Sequence, residues 1–466
     1  MPAMEEGLLV TLDPARGEPL RRQLAGELRE AIRAGRLRTG VRLPASRALA
    51  AQLGVSRGVV TDAYEQLTAE GWLAARRGAG TVVSATPAAP PRAPEAPRRA
   101  AVRFDFTPTT PDVSLFPRRA WARAMARATA AAADAELDYG SGLGAAALRD
   151  ALAGYLGRVR GTAAEPGSIV VCGGYSQATR LLFGVLADRG VRRVAFEEAS
   201  LSDHWDGAAR HGLEALAVPL DGDGMRVDAL TAADADVAVV TPSHQFPTGA
   251  VMGPERRHAL LAWARAAEGR LIVEDDYDAE FRYDRRPLAA LQGLDPQRVA
   301  YVGTASKTLA PALRLGWIAA PAGLAPALAA EKLAADGGSP RLDQLALAEL
   351  IASGEHDRHL RRARRAYTER RDRLVAALAG AVPEGRIEGA AAGVHLVLAL
   401  PVALDRRALR RACAERGVVA ADVEDWRHAR SPGGPTRLVL GYGRIPTAGV
   451  DAAVAELAAA LRAAGL

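Results

Sequence analysis

Gly303-Thr304-Ala305-Ser306-Lys307-Thr308-Leu309-Ala310-Pro311-Ala312-Leu313-Arg314-Leu315-Gly316-Trp317 is the stretch on which the fold turns. The apolar run Val299-Ala300-Tyr301-Val302 ahead of it predicts a buried strand. That strand runs into a hydroxyl-rich turn with one lysine, and an arginine stands seven residues beyond the lysine. Of 60 basic side chains only two are lysines, Lys307 and Lys332. Arginine cannot replace lysine where a deprotonated amine must form a Schiff base. A lysine retained just past a strand end in such a chain therefore points to that chemistry, against the plain alternative of a solvated loop lysine. Lys332 lies in an Ala- and Leu-rich helical stretch and is expected on the surface.

The pattern of a strand ending in reactive residues recurs upstream. Ile169-Val170-Val171 leads into Cys172-Gly173-Gly174-Tyr175-Ser176-Gln177, a glycine turn opening a helix. Val237-Ala238-Val239-Val240 leads into Thr241-Pro242-Ser243-His244-Gln245-Phe246-Pro247-Thr248-Gly249, and Leu271-Ile272-Val273 into Glu274-Asp275-Asp276-Tyr277. Val194-Ala195-Phe196 is a further apolar run, and helical stretches such as 177–186 and 256–267 separate these segments. The alternation predicts an α/β domain with a mostly parallel sheet covered on both faces. Ligands of such sheets bind beyond the carboxyl ends of the strands. Backbone amides at the turn of Gly173, Gly174 and Tyr175 suit a phosphate, although a plain tight turn has the same look.

Taken together, these strand ends match the needs of pyridoxal 5'-phosphate chemistry. A lysine amine must bond the aldehyde, a carboxylate must keep the pyridine nitrogen protonated, and a phenol must meet the ring hydroxyl. Hydroxyls, amides and an arginine must hold the phosphate dianion. Lys307, Asp275 and Tyr277 supply the first three, and Gly173, Gly174, Thr304, Ser306 and Arg314 the rest.

The first fifth of the chain is different. Residues 1–103 hold 16 arginines against 10 acids, whereas the remainder balances at 44 against 44. Leu20, Leu24, Leu28 and Ile32 form one helical stripe that Gly35 ends, and a short helix from Ser46 through Leu53 stops at Gly54. Ser56 is an N-cap for a third helix, with Val59, Ala63, Tyr64 and Leu67 expected to face inward. Trp72-Leu73-Ala74 and Thr81-Val82-Val83 read as strands around a basic turn. This order predicts a winged helix-turn-helix over residues 1–84 that binds double-stranded operator DNA. Its candidate contacts are Arg42, Ser46, Arg47, Ser56, Arg57, Arg76, Arg77 and Gly78. A small protein-binding module of three helices and a hairpin is the alternative. Residues 85–102 contain five prolines and predict an extended linker.

The stretches Arg38 to Ala50, Leu53-Gly54-Val55-Ser56-Arg57 and Ala63-Tyr64-Glu65-Gln66-Leu67 resemble the GntR-type DNA-binding domain. From 103 to 466 the chain resembles fold-type I aminotransferases, through Tyr139-Gly140, Pro247-Thr248-Gly249, Asp275-Asp276-Tyr277, Ser306-Lys307 and Thr436-Arg437-Leu438. That likeness implies a large part over about 136–324 and a smaller C-terminal α+β part over about 325–466. It also implies Lys307 as the cofactor-bearing lysine, Asp275 against the pyridine nitrogen, Tyr277 against the ring hydroxyl and Arg437 on a substrate carboxylate. Tyr139 is implied at the phosphate of a neighbouring subunit's cofactor. The whole resembles the MocR-type regulators, a group that includes GabR and PdxR, and the basic stretch from His356 to Arg371 supports this. Its charge is read as structural.

There are departures. Phe246 stands where aminotransferases usually carry an Asn that contacts the ring hydroxyl, leaving His244 or Ser243 as substitutes. The segment Glu197-Glu198-Ala199-Ser200-Leu201 lacks the usual aromatic that stacks on the ring, leaving His204 or Trp205. Partial transamination at most is expected. Three functions are compatible with these residues: a dimeric regulator, with or without exchange of domains between subunits, that senses an amino compound; a working aminotransferase tethered to DNA; or a regulator for which pyridoxal phosphate is itself the effector.

Length and composition limit the alternatives. At 466 residues the chain is too long for one core. Two cysteines, Cys172 and Cys413, make neither a disulfide framework nor a metal cluster, so no metal is expected. No apolar run approaches the ~18 residues of a membrane span, and a cytoplasmic protein is expected.

Overall fold

The computed structural model describes residues 10–76, 80–84, 102–283, 288–428 and 434–466. The chain divides into two compact units, Met1–Arg98 and Arg99–Leu466.

In the first unit the helix Leu20–Arg33 buries Leu24, Leu28 and Ile32 completely. Each such side chain contributes roughly 2 kcal/mol by leaving water. The helix Ser46–Leu53 ends at Gly54, whose φ of 66° is the left-handed conformation that favours glycine. The helix Arg57–Ala69 is capped by the Ser56 hydroxyl, which accepts the Val59 N–H. Its buried face is Val60, Ala63, Tyr64 and Leu67. Val59, expected to face inward, is only partly buried, because Val60 is the residue in i, i+3, i+4, i+7 phase with the other three. The Tyr64 hydroxyl donates to the Pro44 carbonyl at 3.0 Å and ties the third helix to the turn before the second. Strands Leu73–Arg76 and Gly80–Val83 pair antiparallel to form the wing.

The second unit is built on a seven-stranded sheet. Its order is Ile169–Cys172, Gly316–Ala319, Val299–Thr304, Leu271–Asp276, Val237–Val240, Arg193–Glu197 and Glu214–Val218. Only Gly316–Ala319 runs against the others. That one reversal matters for the site. The strand leaves the lysine turn and inserts between Val299–Thr304 and Ile169–Cys172, with Gly316 opposite both Thr304 and Cys172. It thereby sets the glycine turn beside the lysine turn. Gly316 must be glycine, since a Cβ there would lie 2.6 Å from the Gly174 Cα.

The C-terminal part is a four-stranded antiparallel sheet of Arg386–Glu388, His395–Ala399, Arg437–Gly441 and Ala421–Asp422, accompanied by the helices Glu355–Ala381, Arg406–Glu415 and Val450–Ala463. The long basic helix uses its charges structurally. Buried Arg370 donates to the carbonyls of Tyr442 and Gly443 and pairs with Asp112 at 2.8 Å. The ring of His359 lies 2.6 Å from the Thr308 carbonyl and so braces the lysine turn from behind.

Lys332 corrects a sequence expectation. It is fully buried, not on the surface, and its Nζ lies 2.6 Å from both carboxylate oxygens of Asp336, one helical turn on. The helix Ala325–Asp336 packs on the helix Tyr175–Asp188, and an ammonium with a carboxylate one turn away can be buried where an unpaired one cannot. Among the described residues no helix is long and apolar enough to cross a membrane.

Candidate functional site

The strand ends open into a cavity of about 210 Å³ whose lining includes Lys307, Asp275, Tyr277, Thr304, Ser306 and Arg314. Tyr175 and Ser176 line it from the glycine turn, and Phe246, Thr241 and Glu197 from the neighbouring strand ends.

Asp275 and Asp276 show how a strand sorts two adjacent carboxyls. Successive side chains point to opposite faces. Asp276 is turned away and takes Arg160 Nε at 2.6 Å and the Tyr301 hydroxyl at 2.9 Å. Asp275 lines the cavity. Burial, and then Asp276 and Asp278, push its carboxyl well above the usual range. A protonated ring nitrogen would add a cation to the pull of Lys307, which by itself leaves the carboxyl raised. Burial also lowers the Lys307 ammonium below its ordinary value, against the pull of Asp278 and Asp275. A larger share of the amine is then unprotonated and nucleophilic.

The phosphate end is a cradle. Gly174 has φ 102°, and a Cβ placed on it would lie 3.6 Å from both terminal nitrogens of Arg314 and 3.8 Å from Thr304 Oγ1. Glycine thus leaves open the space between a guanidinium and a hydroxyl. Thr304 Oγ1 lies 2.9 Å from Ser306 Oγ and accepts the Ser306 N–H at 3.1 Å, which groups the hydroxyls. Arg314 has a φ of 50°, unusual for a residue with a side chain. One expected contact is missing. The Gly173 N–H, read as a phosphate donor, is already given to Gln177 Oε1 at 2.6 Å.

The opposite end departs further. Phe246 lines the cavity. His244 and Ser243, the two suggested substitutes for the usual Asn, do not. Ser243 Oγ accepts from Arg160 Nη2 at 2.9 Å, away from the cavity. His244 sits behind Tyr277: its carbonyl accepts the phenol proton at 2.9 Å, and its Nδ1 lies 2.9 Å from Asp278. His395 packs on that imidazole with ring centroids 4.6 Å apart. Arg437 is also elsewhere. It pairs with Glu388 at 3.0 Å and lines a separate cavity with Arg427 and Thr248. Of the two candidates for ring stacking, His204 lines the cavity and packs on Tyr175 at 4.3 Å between centroids, with burial lowering its imidazole to about 3. Trp205 instead stacks on His428 at 3.8 Å. Tyr139 is 89% exposed and takes no part in this chain's own cavity.

Glu197 and Thr109 are lining residues that the sequence did not assign to the site. Glu197 is fully buried and accepts from Thr241 Oγ1 at 2.6 Å and Gln245 Nε2 at 3.0 Å. Burial nevertheless raises its carboxyl to about 7. An acidic residue closing the apolar run Val194-Ala195-Phe196 was the available signal. Thr109 arrives from far upstream, held in a turn with φ 58°, and nothing local marks it.

On the DNA-binding unit, Arg42, Arg47, Ser56 and Arg57 are exposed and Ser46 is half-buried. Arg57 Nε reaches Ser46 Oγ at 3.3 Å, which brings together the starts of the second and third helices. Arg42 lies along the wing, with its Nε 3.0 Å from where a Cβ on Gly80 would stand. Arg76 ends the first wing strand, and Arg77 and Gly78 lie outside the described residues.

The cavity fits pyridoxal phosphate: an amine of lowered basicity, a buried carboxyl in need of a cation, and a glycine-lined cradle facing an arginine. Similarity to known proteins agrees. Residues 20–83 match the bacterial regulatory proteins of the gntR family, and residues 110–461 match aminotransferase class I and II. The chain is 34% identical over 435 residues to the probable rhizopine catabolism regulatory protein MocR of Rhizobium meliloti, covering 88% of this chain and 87% of that one. It is 32% identical over 396 residues to the pyridoxine biosynthesis transcriptional regulator PdxR of Corynebacterium glutamicum, covering 84% and 85%. The larger unit shares its fold with LysN, an alpha-aminoadipate aminotransferase from Thermus thermophilus, at 27% identity and a TM-score of 0.68 over 77% of this chain and 92% of that one. Fold and cavity define a GntR-type DNA-binding protein with an aminotransferase-like, pyridoxal phosphate-dependent body. The chain belongs to the MocR family of transcriptional regulators.

Proposed function

We propose that this regulator senses a small molecule through the cavity that holds Lys307, with the state of that cavity setting its affinity for operator DNA. The observation that carries the reading is the contrast within one cavity. The groups that retain a cofactor are assembled, while Phe246 replaces a polar ring contact and Arg437 is paired with Glu388 outside it. Bound at this site, pyridoxal phosphate supplies an electrophilic carbon and an electron-withdrawing ring. Lys307 Nζ would hold the cofactor's aldehyde end, Asp275 would keep the ring nitrogen protonated, and Arg314, Thr304 and Ser306 would hold the phosphate. Tyr277 would meet the ring hydroxyl, and His204 with Tyr175 closes one side of the cavity.

An incoming amine would compete with Lys307 for the bound cofactor. Operator affinity then changes only to the extent that the liganded and free states differ in their affinity for DNA. The working form is a cytoplasmic homodimer in which exposed Tyr139 reaches the partner's site. Lys307→Ala tests the proposal. Ligand-dependent change in operator binding should disappear while cofactor-free DNA binding persists. A normal ligand response in that variant contradicts it.

A second reading has pyridoxal phosphate itself as the effector. Arg314 is the only arginine lining the cavity among the described residues, and it belongs to the phosphate end. The relative from Corynebacterium glutamicum, named for pyridoxine biosynthesis, favours the same reading. DNA affinity would then track cofactor concentration with no amine present.

The first unit makes the DNA contacts through the start of the helix Arg57–Ala69. Arg57→Ala should reduce the preference for operator over random DNA by about 1–3 kcal/mol. An unchanged ratio would contradict this placement of the helix in the groove.

A further inference from the structure

We propose that Lys332, Asp336 and Gln177 form a brace that sets the grip of the glycine turn on the cofactor phosphate. The proposal rests on the assignment of Gly174, Thr304 and Arg314 as the phosphate cradle. Four polar groups run in series. Fully buried Lys332 Nζ lies 2.6 Å from each Asp336 oxygen. Asp336 Oδ2 accepts Gln177 Nε2 at 2.6 Å, and Gln177 Oε1 accepts the Gly173 N–H at 2.6 Å. The Gly338 N–H adds a bond to Asp336 Oδ1 at 2.9 Å.

Each link fixes the next. Burial alone would raise the Asp336 carboxyl, yet the bonds from Lys332, Gln177 and the Gly338 N–H hold it below its usual value, so it stays a carboxylate. A carboxylate accepts only, so the Gln177 amide must turn its NH₂ to Asp336 and its oxygen to Gly173. That oxygen ties back the amide one residue before Gly174, the residue that faces Arg314 across the cradle.

The brace also accounts for the second lysine of an otherwise arginine-only set. An ammonium brings three donors on a narrow stem. A guanidinium would bring five donors in a planar fork to a buried place beside one carboxylate, and unmet buried donors are costly.

The test compares pyridoxal phosphate with pyridoxal, which lacks the phosphate, by absorbance titration of the full chain. Lys332→Met and Gln177→Leu should each weaken pyridoxal phosphate binding about tenfold and leave pyridoxal unchanged, as for loss of one charge-assisted contact. The double variant should be no weaker than either single one, because the groups act in series. Equal losses for both ligands, or no loss for either, overturn the proposal. Should Lys332→Met fail to fold, Gln177→Leu carries the same test. Arg314→Ala separates the brace from its premise. If it leaves the ratio of the two affinities unmoved, the cradle assignment falls and the brace with it. If it moves the ratio and the brace variants do not, the brace alone is wrong.

Discussion

The two ends of the cavity are built on different terms. At the phosphate end, Gly174, Thr304, Ser306 and Arg314 come from two turns brought together by one antiparallel strand, and their polar groups face one another. At the far end, Phe246 presents an apolar ring and the Tyr277 phenol gives its proton to the His244 carbonyl, while Arg437 is held by Glu388 outside the cavity. In the function proposed, one end would keep the cofactor while the other lacks groups suited to processing a substrate. The difference is what the proposed sensing role calls for: an aminotransferase body kept for binding, with the groups needed for turnover relaxed.

Three substitutions can break or sharpen this contrast. The largest effect is expected at the phosphate end. Arg314→Ala removes a charged contact to a dianion and should weaken pyridoxal phosphate binding on the order of a hundredfold, read by absorbance titration. A loss of less than a few-fold would mean that the cradle does not carry the binding. A smaller gain is expected at the far end. Phe246→Asn restores a polar contact to the ring hydroxyl and should raise single-turnover transamination of an amino donor about tenfold. An unchanged rate would show that this end is not what limits turnover.

The smallest effect concerns Glu197, which lines the same cavity. Its folded carboxyl is raised from 4.5 to about 7. The protonated form is therefore favoured on folding. The stability it contributes is complete below about pH 4.5 and is lost as pH rises through about 7. Glu197→Gln should flatten the decline of thermal stability across that window. An identical decline in the variant would place its origin elsewhere.

What could be read from the sequence depends on the range of the forces involved. Strand ends announce themselves locally, as apolar runs closed by reactive residues, so the convergence of Lys307, Asp275, Tyr277 and Arg314 on one cavity was legible at once. The first unit was equally open, because helical stripes, glycine stops and the Ser56 cap are local signals. The misjudged residues are those whose partners are distant in the chain. Arg437 meets Glu388 from 49 residues away, and Ser243 meets Arg160 from 83 away. Gln177, which captures the Gly173 amide, is itself held by Asp336, 159 residues on. Lys332 looked superficial because an Ala- and Leu-rich helix has no clear polar face, and only the packing of the helix Ala325–Asp336 decides which side is buried.

The central claim is that Lys307 is the residue to which the cofactor is joined. With only two lysines in the chain, borohydride reduction of the pyridoxal phosphate-loaded protein and then peptide mapping decide it. A single pyridoxyl adduct is expected on the peptide carrying Lys307. An adduct on Lys332, or a loaded protein that forms none, would contradict it.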